Sequence, residues 1–312
     1  MVVTPGHQLF AAELTGLAAQ SCDSRLAMLA AGVTAPLRVA VHGRPGVGRR
    51  TVAAALAATG LRIAERADAA DLTVRVVAEV VKPEDIAAVR AAREPVLVVL
   101  NKADLPGRGG AAMPIPVEPL SALFALAAQP GGLDGPLWEA LRCLASRPAD
   151  LRSAEHFVSC PHPVPRATRE RLCAVIDVSG VAALLGPAGQ CGTAAQARAL
   201  LGRLSNVDGV AARLAALGAA VYHRRMAEAV TRLAAMAVAD DRIDAFLVRD
   251  ATVAARLVAA AAAVAAPDEP VLARARRWHA LRSAPVGATQ RACAADIARG
   301  SLRAWASARS SA

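Results

Sequence analysis

Two short segments carry residue types that could do chemistry together. In GRPGVGRRT, residues 43–51, Gly43, Gly46 and Gly48 let backbone N–H groups turn inward around an anion, the geometry that cradles phosphates. In such a loop a lysine neutralises the outer phosphate oxygens and a Ser or Thr hydroxyl holds magnesium. Here Arg49 and Arg50 stand at those two places, and Thr51 comes one residue late. A guanidinium is larger than an ammonium and prefers bidentate geometry, so Arg49 is expected to hold phosphate from outside the loop. Arg50 cannot coordinate magnesium, so any nucleotide would be held with little help from the ion.

The second segment, NKAD, places Asn101, Lys102 and Asp104 after an apolar run. Guanine presents N1–H and an exocyclic amine side by side, two donors that one carboxylate can accept together, whereas adenine has no such pair. Asp104 would be that carboxylate, Asn101 would tie the loop and touch the base, and the Lys102 stem would cover the ring. Buried polar groups of this kind reject the wrong base because a carboxylate would be left unpaired. Lys102 stands out further because the only other lysine is Lys82, against 34 arginines. At these residues the chain resembles the translation-factor-like GTPases, with VLVVLNKADL close to their usual form. Ser121 and Ala122 resemble the last motif of that family, which implies a backbone N–H meeting the guanine oxygen. The resemblance implies GTP or GDP as the cofactor.

The elements needed to position these residues can be read from the pattern. Runs at 37–41, 72–77, 96–100 and 115–117 are β-branched or leucine-rich, with a short edge strand at 61–64. Helical stretches at 51–58 and 83–93 lie between them, and a glycine-rich connection follows the NKAD turn. Alternating strands and helices predict a mostly parallel sheet covered on both faces. A helix or helical pair at 8–31 precedes it. After Gly135 the strand signal stops; a helix at 138–146 leads to SCPHPVP, residues 159–165, read as an extended proline hinge. Helices are then expected near 168–185, 193–204, 208–238, 243–266, 271–283 and 289–309. The expected fold class is therefore α/β plus all-α. Its parts would be a helical segment at 1–34, a degenerate GTPase-like domain at 35–147 with a truncated switch region, and a helical bundle at 148–312.

Hydrolysis of GTP needs a magnesium held by loop and switch hydroxyls and a water oriented by a switch segment. Between Thr51 and Glu94 the only glycine is Gly60, with Ala57 three residues before it, so there is no DxxG turn. Little more than residues 65–71 remains for the switches. Glu65, Asp68 and Asp71 could face a metal from the other side, though solvated carboxylates at a strand start are the reading preferred. No catalytic residue and no metal site are assigned, and magnesium is doubtful as a cofactor. The expectation is a pseudo-GTPase. Two alternatives stay open: a slow GTPase that uses Arg49 with a partner's residues, and a helical scaffold that binds no nucleotide.

The apolar fraction is 55% but the aromatic fraction only 3%, so packing should rest on small contacts between closely approaching helices. The net charge is +10, of which +9 falls in residues 151–312. An anionic membrane surface or an acidic protein could meet that excess, while nucleic acid is disfavoured because few aromatics can stack on bases. Residues 178–186 could touch a membrane, but a buried helix end is preferred. No segment is long and charge-free enough to span a bilayer without glycine or proline breaks, and no secretory leader is read. A cytoplasmic chain is expected, with a peripheral place at the inner face of the membrane as a further expectation. His156, Cys160, His162 and Cys173 fit no trusted zinc spacing. Six scattered cysteines read as free thiols.

RLCAVIDVSGVAALLG and LLGRLSNVDGVAARLAAL are similar to stalk sequences of actinobacterial dynamin-like proteins, and the helix–GTPase–helices order matches their layout. That resemblance spans 26–309 and implies assembly through the bundle, as a homo-oligomer or with a second GTPase, and work at a membrane. The tryptophans Trp278 and Trp305, beside many arginines, are expected to pack in the bundle under a solvated basic face.

Overall fold

Five strands form one parallel sheet in the order β2-β1-β3-β4-β5: β1 Arg38–Gly43, β2 Arg62–Ile63, β3 Leu72–Val77, β4 Val96–Asn101 and β5 Val117–Leu120. The inner strands are runs of Val and Leu because both faces of a parallel sheet are covered; Val74, Val76, Val98 and Val99 are fully buried. The computed structural model describes residues 4–66, 69–92, 94–105 and 113–310. Asp68 and the glycine-rich connection after NKAD lie outside the described residues. Helix α3 (Arg49–Ala58) follows β1, α4 (Pro83–Ala91) follows β3 and α5 (Ala122–Ala127) follows β5. The last strand lies later than the 115–117 expected, because its register sets Val117 opposite Val98 and Leu120 opposite Asn101.

The chain divides into two units, Leu37–Leu214 and Met1–Pro36 with Ala215–Ala312. This departs from the expected boundary at 147. The reason is a shared core in the first unit: α6 (Gly135–Ser146), α7 (Ala154–Ser159), α8 (Arg166–Gly189) and α9 (Ala194–Ser205) bury Leu141, Phe157, Leu172, Leu184 and Leu201 with Phe124 of α5. SCPHPVP is therefore no hinge between units. Val164 is buried, and His162 fixes the segment through the Arg147 carbonyl at 2.7 Å and the Val164 N–H at 3.0 Å. Val181 and Leu184, within the stretch weighed as a membrane tip, are also buried.

In α8 the helix breaks at Asp177, whose φ of 55° and ψ of 176° lie outside helical space. Gly180 just beyond the break is buried, and a Cβ there would come within 2.9 Å of Phe124. The break thus lets the second half of α8 lie close on α5.

The second unit is all helical: α1 (Gly6–Ser21), α2 (Ser24–Thr34), the later part of α10 (Val207–Ala237), α11 (Asp241–Val248), α12 (Asp250–Ala263), α13 (Val271–Leu281) and α14 (Ala288–Ser310). The N-terminal pair belongs to this unit because Phe10, Leu14, Leu26 and Val33 share a core with Met226, Leu233 and Phe246. The helix expected at 243–266 is two, since Arg249 adopts an extended conformation between α11 and α12. Trp278 and Ile297 are buried in a smaller cluster with Cys293, while Leu302 and Trp305 are exposed.

Candidate functional site

The glycine loop 43–48 leaves β1 at a point where the strand order of the sheet reverses. From β1 the chain passes through α3 to β2 on one side, then returns to β3 on the other. In open α/β sheets ligands bind at the carboxyl ends of strands at such a switch point. Gly43 ends β1 under tight constraint, since a Cβ there would come within 2.7 Å of the Val76 carbonyl. Gly48 has φ of 82°, the left-handed region, and a Cβ would lie 2.5 Å from the Asn101 amide nitrogen. Helix α3 then starts at Arg49. Among the described residues, none accepts a hydrogen bond from the backbone N–H groups of Gly46, Val47, Gly48, Arg49, Arg50 or Thr51. Such a run of free N–H groups at a helix start favours an anion.

Asn101 joins the two predicted segments. It is only 4% exposed; its Nδ2 donates to the Val47 carbonyl at 2.9 Å, and its Oδ1 accepts the Ala122 N–H at 3.2 Å. One amide thus links the glycine loop, the end of β4 and the first turn of α5. Lys102 follows with φ of 60°, a left-handed turn residue. Asp104 is half-buried and accepts the Ser179 hydroxyl at 2.5 Å. Ser121, buried at the start of α5, donates its N–H to the Ser205 carbonyl at 3.0 Å. A cavity of about 400 Å³ opens beside Asp104, lined by Ser121, Phe124, Ser179, Ser205 and Asn206 among others.

Arg49 and Arg50 are exposed, and the Arg49 guanidinium reaches back to the Gly43 carbonyl at 3.5 Å. No three His, Cys, Asp or Glu side chains converge among the described residues. Asp71 instead accepts the Arg38 N–H at 2.9 Å. Of the four residues weighed for zinc, His156 Nδ1 meets the Ser153 hydroxyl at 2.7 Å and Cys160 lies 3.1 Å from the Arg169 guanidinium.

Five residues at the site, Arg44, Arg75, Asp85, Ser179 and Ser205, are not among those the motifs single out. Arg44, inside the loop, donates to Asp85 at 3.0 Å and to the Val80 carbonyl at 2.9 Å; Arg75 meets the other Asp85 oxygen at 2.9 Å. Burial pushes the Asp85 carboxyl up, but hydrogen bonds from Arg75, the Lys82 N–H and Arg44 together hold it below the ordinary carboxylate range. Ser179 and Ser205 come from helices 75 and more residues beyond Asp104, a separation that local pattern cannot bridge. The acidic first turn after Pro83 was the available signal for Asp85. No family model, curated protein or solved structure matches the chain.

Proposed function

We propose that the sheet-bearing unit is a guanine-nucleotide-binding module of degenerate GTPase type, a pseudo-GTPase that does not turn nucleotide over by itself. The observation that carries this reading is the Asn101 bridge between the Val47 carbonyl and the Ala122 N–H, which couples a loop suited to phosphates to a turn suited to guanine. The unpaired N–H groups of the loop would take the phosphates, helped from outside by Arg49, with the Asp104 carboxylate reading the base edge. The magnesium contribution is minor because a guanidinium occupies position 50. The helices of the chain would then serve assembly, with a second GTPase or a further copy, and the basic excess in residues 151–312 would face an anionic membrane.

Titration with fluorescent GDP, GTP and ATP, with and without magnesium, tests this. Guanine nucleotides should bind in preference to ATP and survive a chelator. Equal affinity for ATP and GTP removes the base-reading argument, and binding that collapses with chelator removes the argument about position 50. The scaffold reading has one observation in its favour: Arg49 folds onto the Gly43 carbonyl and so stands over the loop. Absence of binding at any nucleotide concentration would favour it.

A further inference from the structure

The base-reading groups are already satisfied by the chain itself. Guanine offers its reader a row of one acceptor, the exocyclic carbonyl oxygen, and two donors, N1–H and the amine. In this structure a donor and an acceptor of the same kinds come from two helices. The Ser179 hydroxyl of α8 donates to Asp104 Oδ2 at 2.5 Å, and the Ser205 carbonyl, at the last residue of α9, accepts the Ser121 N–H at 3.0 Å. The Ser205 carbonyl is among the terminal acceptors that a helix leaves without an internal partner, so it needs a donor from elsewhere. Both contacts border the same cavity of about 400 Å³ beside Asp104.

The element that delivers Ser179 is under strain. Asp177 sits two residues earlier at φ of 55° and ψ of 176°, conformational space that a side chain with a Cβ rarely enters. Its own carboxylate accepts the Val178 N–H at 2.6 Å, which holds the break in place. Strain of this kind persists where surrounding contacts enforce it, here Gly180 against Phe124 and the Ser179 bond to Asp104.

We infer that the α8 and α9 ends form a built-in base mimic: Ser179 and Ser205 occupy the guanine-reading groups and gate nucleotide binding by direct competition. This rests on the reading of Asp104 as the base reader. A guanine base must displace the Ser179 hydroxyl to claim both Asp104 oxygens, and the break at Asp177 is where the second half of α8 would swing. Weak binding by the resting chain then follows from self-occupancy, and anything that draws α8 away would raise affinity.

The test uses the full chain with fluorescent GDP. Ser179→Ala removes the competing donor while leaving a helix-compatible side chain, and should bind GDP about tenfold tighter, the worth of a hydrogen bond to a charged group. Asp104→Ala should lose binding in both backgrounds. If Ser179→Ala binds no better than the parent while Asp104→Ala still abolishes binding, the mimic is wrong and the base reading stands. If neither the parent nor Ser179→Ala binds GDP at all, the base reading falls and takes the mimic with it. A second measurement is independent of the variant: hydrogen exchange across 178–189 should quicken when GDP binds the parent chain, and unchanged exchange in the saturated complex overturns the gate.

Discussion

Asp85 accepts the Arg44 Nε–H at 3.0 Å and so fastens the glycine loop after β1 to the first turn of α4. The carboxylate is fully buried, with Arg75 on its other oxygen at 2.9 Å. Removing one partner of a buried, hydrogen-bonded pair strands the others, so Asp85→Asn should cost about 3 kcal/mol of stability. The sign of the pH dependence follows from the lowered carboxyl pKa: the contribution is complete above the unfolded value of about 4 and fades as pH falls through the lower folded value. Denaturant melts at pH 7 and pH 3 should therefore differ more for the parent than for Asp85→Asn. Equal pH dependence in the two proteins would remove this account.

Arg49→Lys with Arg50→Thr restores the ammonium and the hydroxyl that such loops use. The backbone around them has the required left-handed glycines, Gly46 at φ of 85° and Gly48 at φ of 82°. GTP affinity should rise about tenfold and become sensitive to chelator, since a point charge now reaches the phosphates and magnesium gains a ligand. Turnover should stay at background in both proteins, because the interval between α3 and β3 carries no DxxG turn to orient a water. Phosphate release measured under single-turnover conditions checks both halves. Hydrolysis by the pure parent chain, lost on Arg49→Ala, would instead favour the slow-GTPase alternative.

How much of this was readable in the residues varies with distance along the chain. The inner strands were legible because β-branched and leucine-rich runs are local signals, and β3 falls on residues 72–77 as expected. The unit boundary was not: SCPHPVP carries three prolines, and proline marks a non-helical segment without saying whether its neighbours share a core. Phe124 and Phe157 decide that question by packing into one cluster. Asn101 was read as a tie because its type and place suffice. Ser179 was missed, since a lone serine in an alanine-rich helix is unremarkable until the break at Asp177 turns the helix toward Asp104.

In the helical unit, Cys293 should be chemically silent. Its Sγ lies 3.3 Å from His223 Nδ1, while His223 Nε2 meets Asp296 at 3.1 Å and Arg256 pairs with the other Asp296 oxygen. Burial and then the Asp296 charge push the thiol up to about 11. A thiolate is the reactive form, so an alkylating reagent should label exposed Cys22 and Cys191 at neutral pH and spare Cys293 until the unit opens. The raised value also predicts alkaline loss of stability. The unfolded thiol ionises first, so stability falls as pH rises from 9.0 toward about 11. Cys293→Ser should flatten that part of the profile. Fast labelling of Cys293 in the native protein would contradict the buried hydrogen-bonded arrangement.

Deleting residues 271–312 separates two roles for the basic C-terminal helices. Their charges, if they met an anionic membrane, would give vesicle binding that weakens steeply with salt, because exposed charges are screened over about 8 Å at physiological ionic strength. The packing argues for a heavier structural part. The deletion takes away Trp278, Cys293 and Ile297, buried with Ala260, and also Asp296, which answers both His223 and Arg256. An uncompensated guanidinium and an exposed apolar stripe would remain, so the truncated chain should aggregate or melt early. Arg276, Arg282 and Arg299 carry no carboxylate partner in the ion pairs among the described residues, so replacing them with glutamine tests the charge alone. The triple variant should keep the parent's melting temperature. Loss of binding to acidic vesicles in that variant would assign the charge to a membrane; unchanged binding, with the truncation collapsing, would leave these helices as the closure of their bundle.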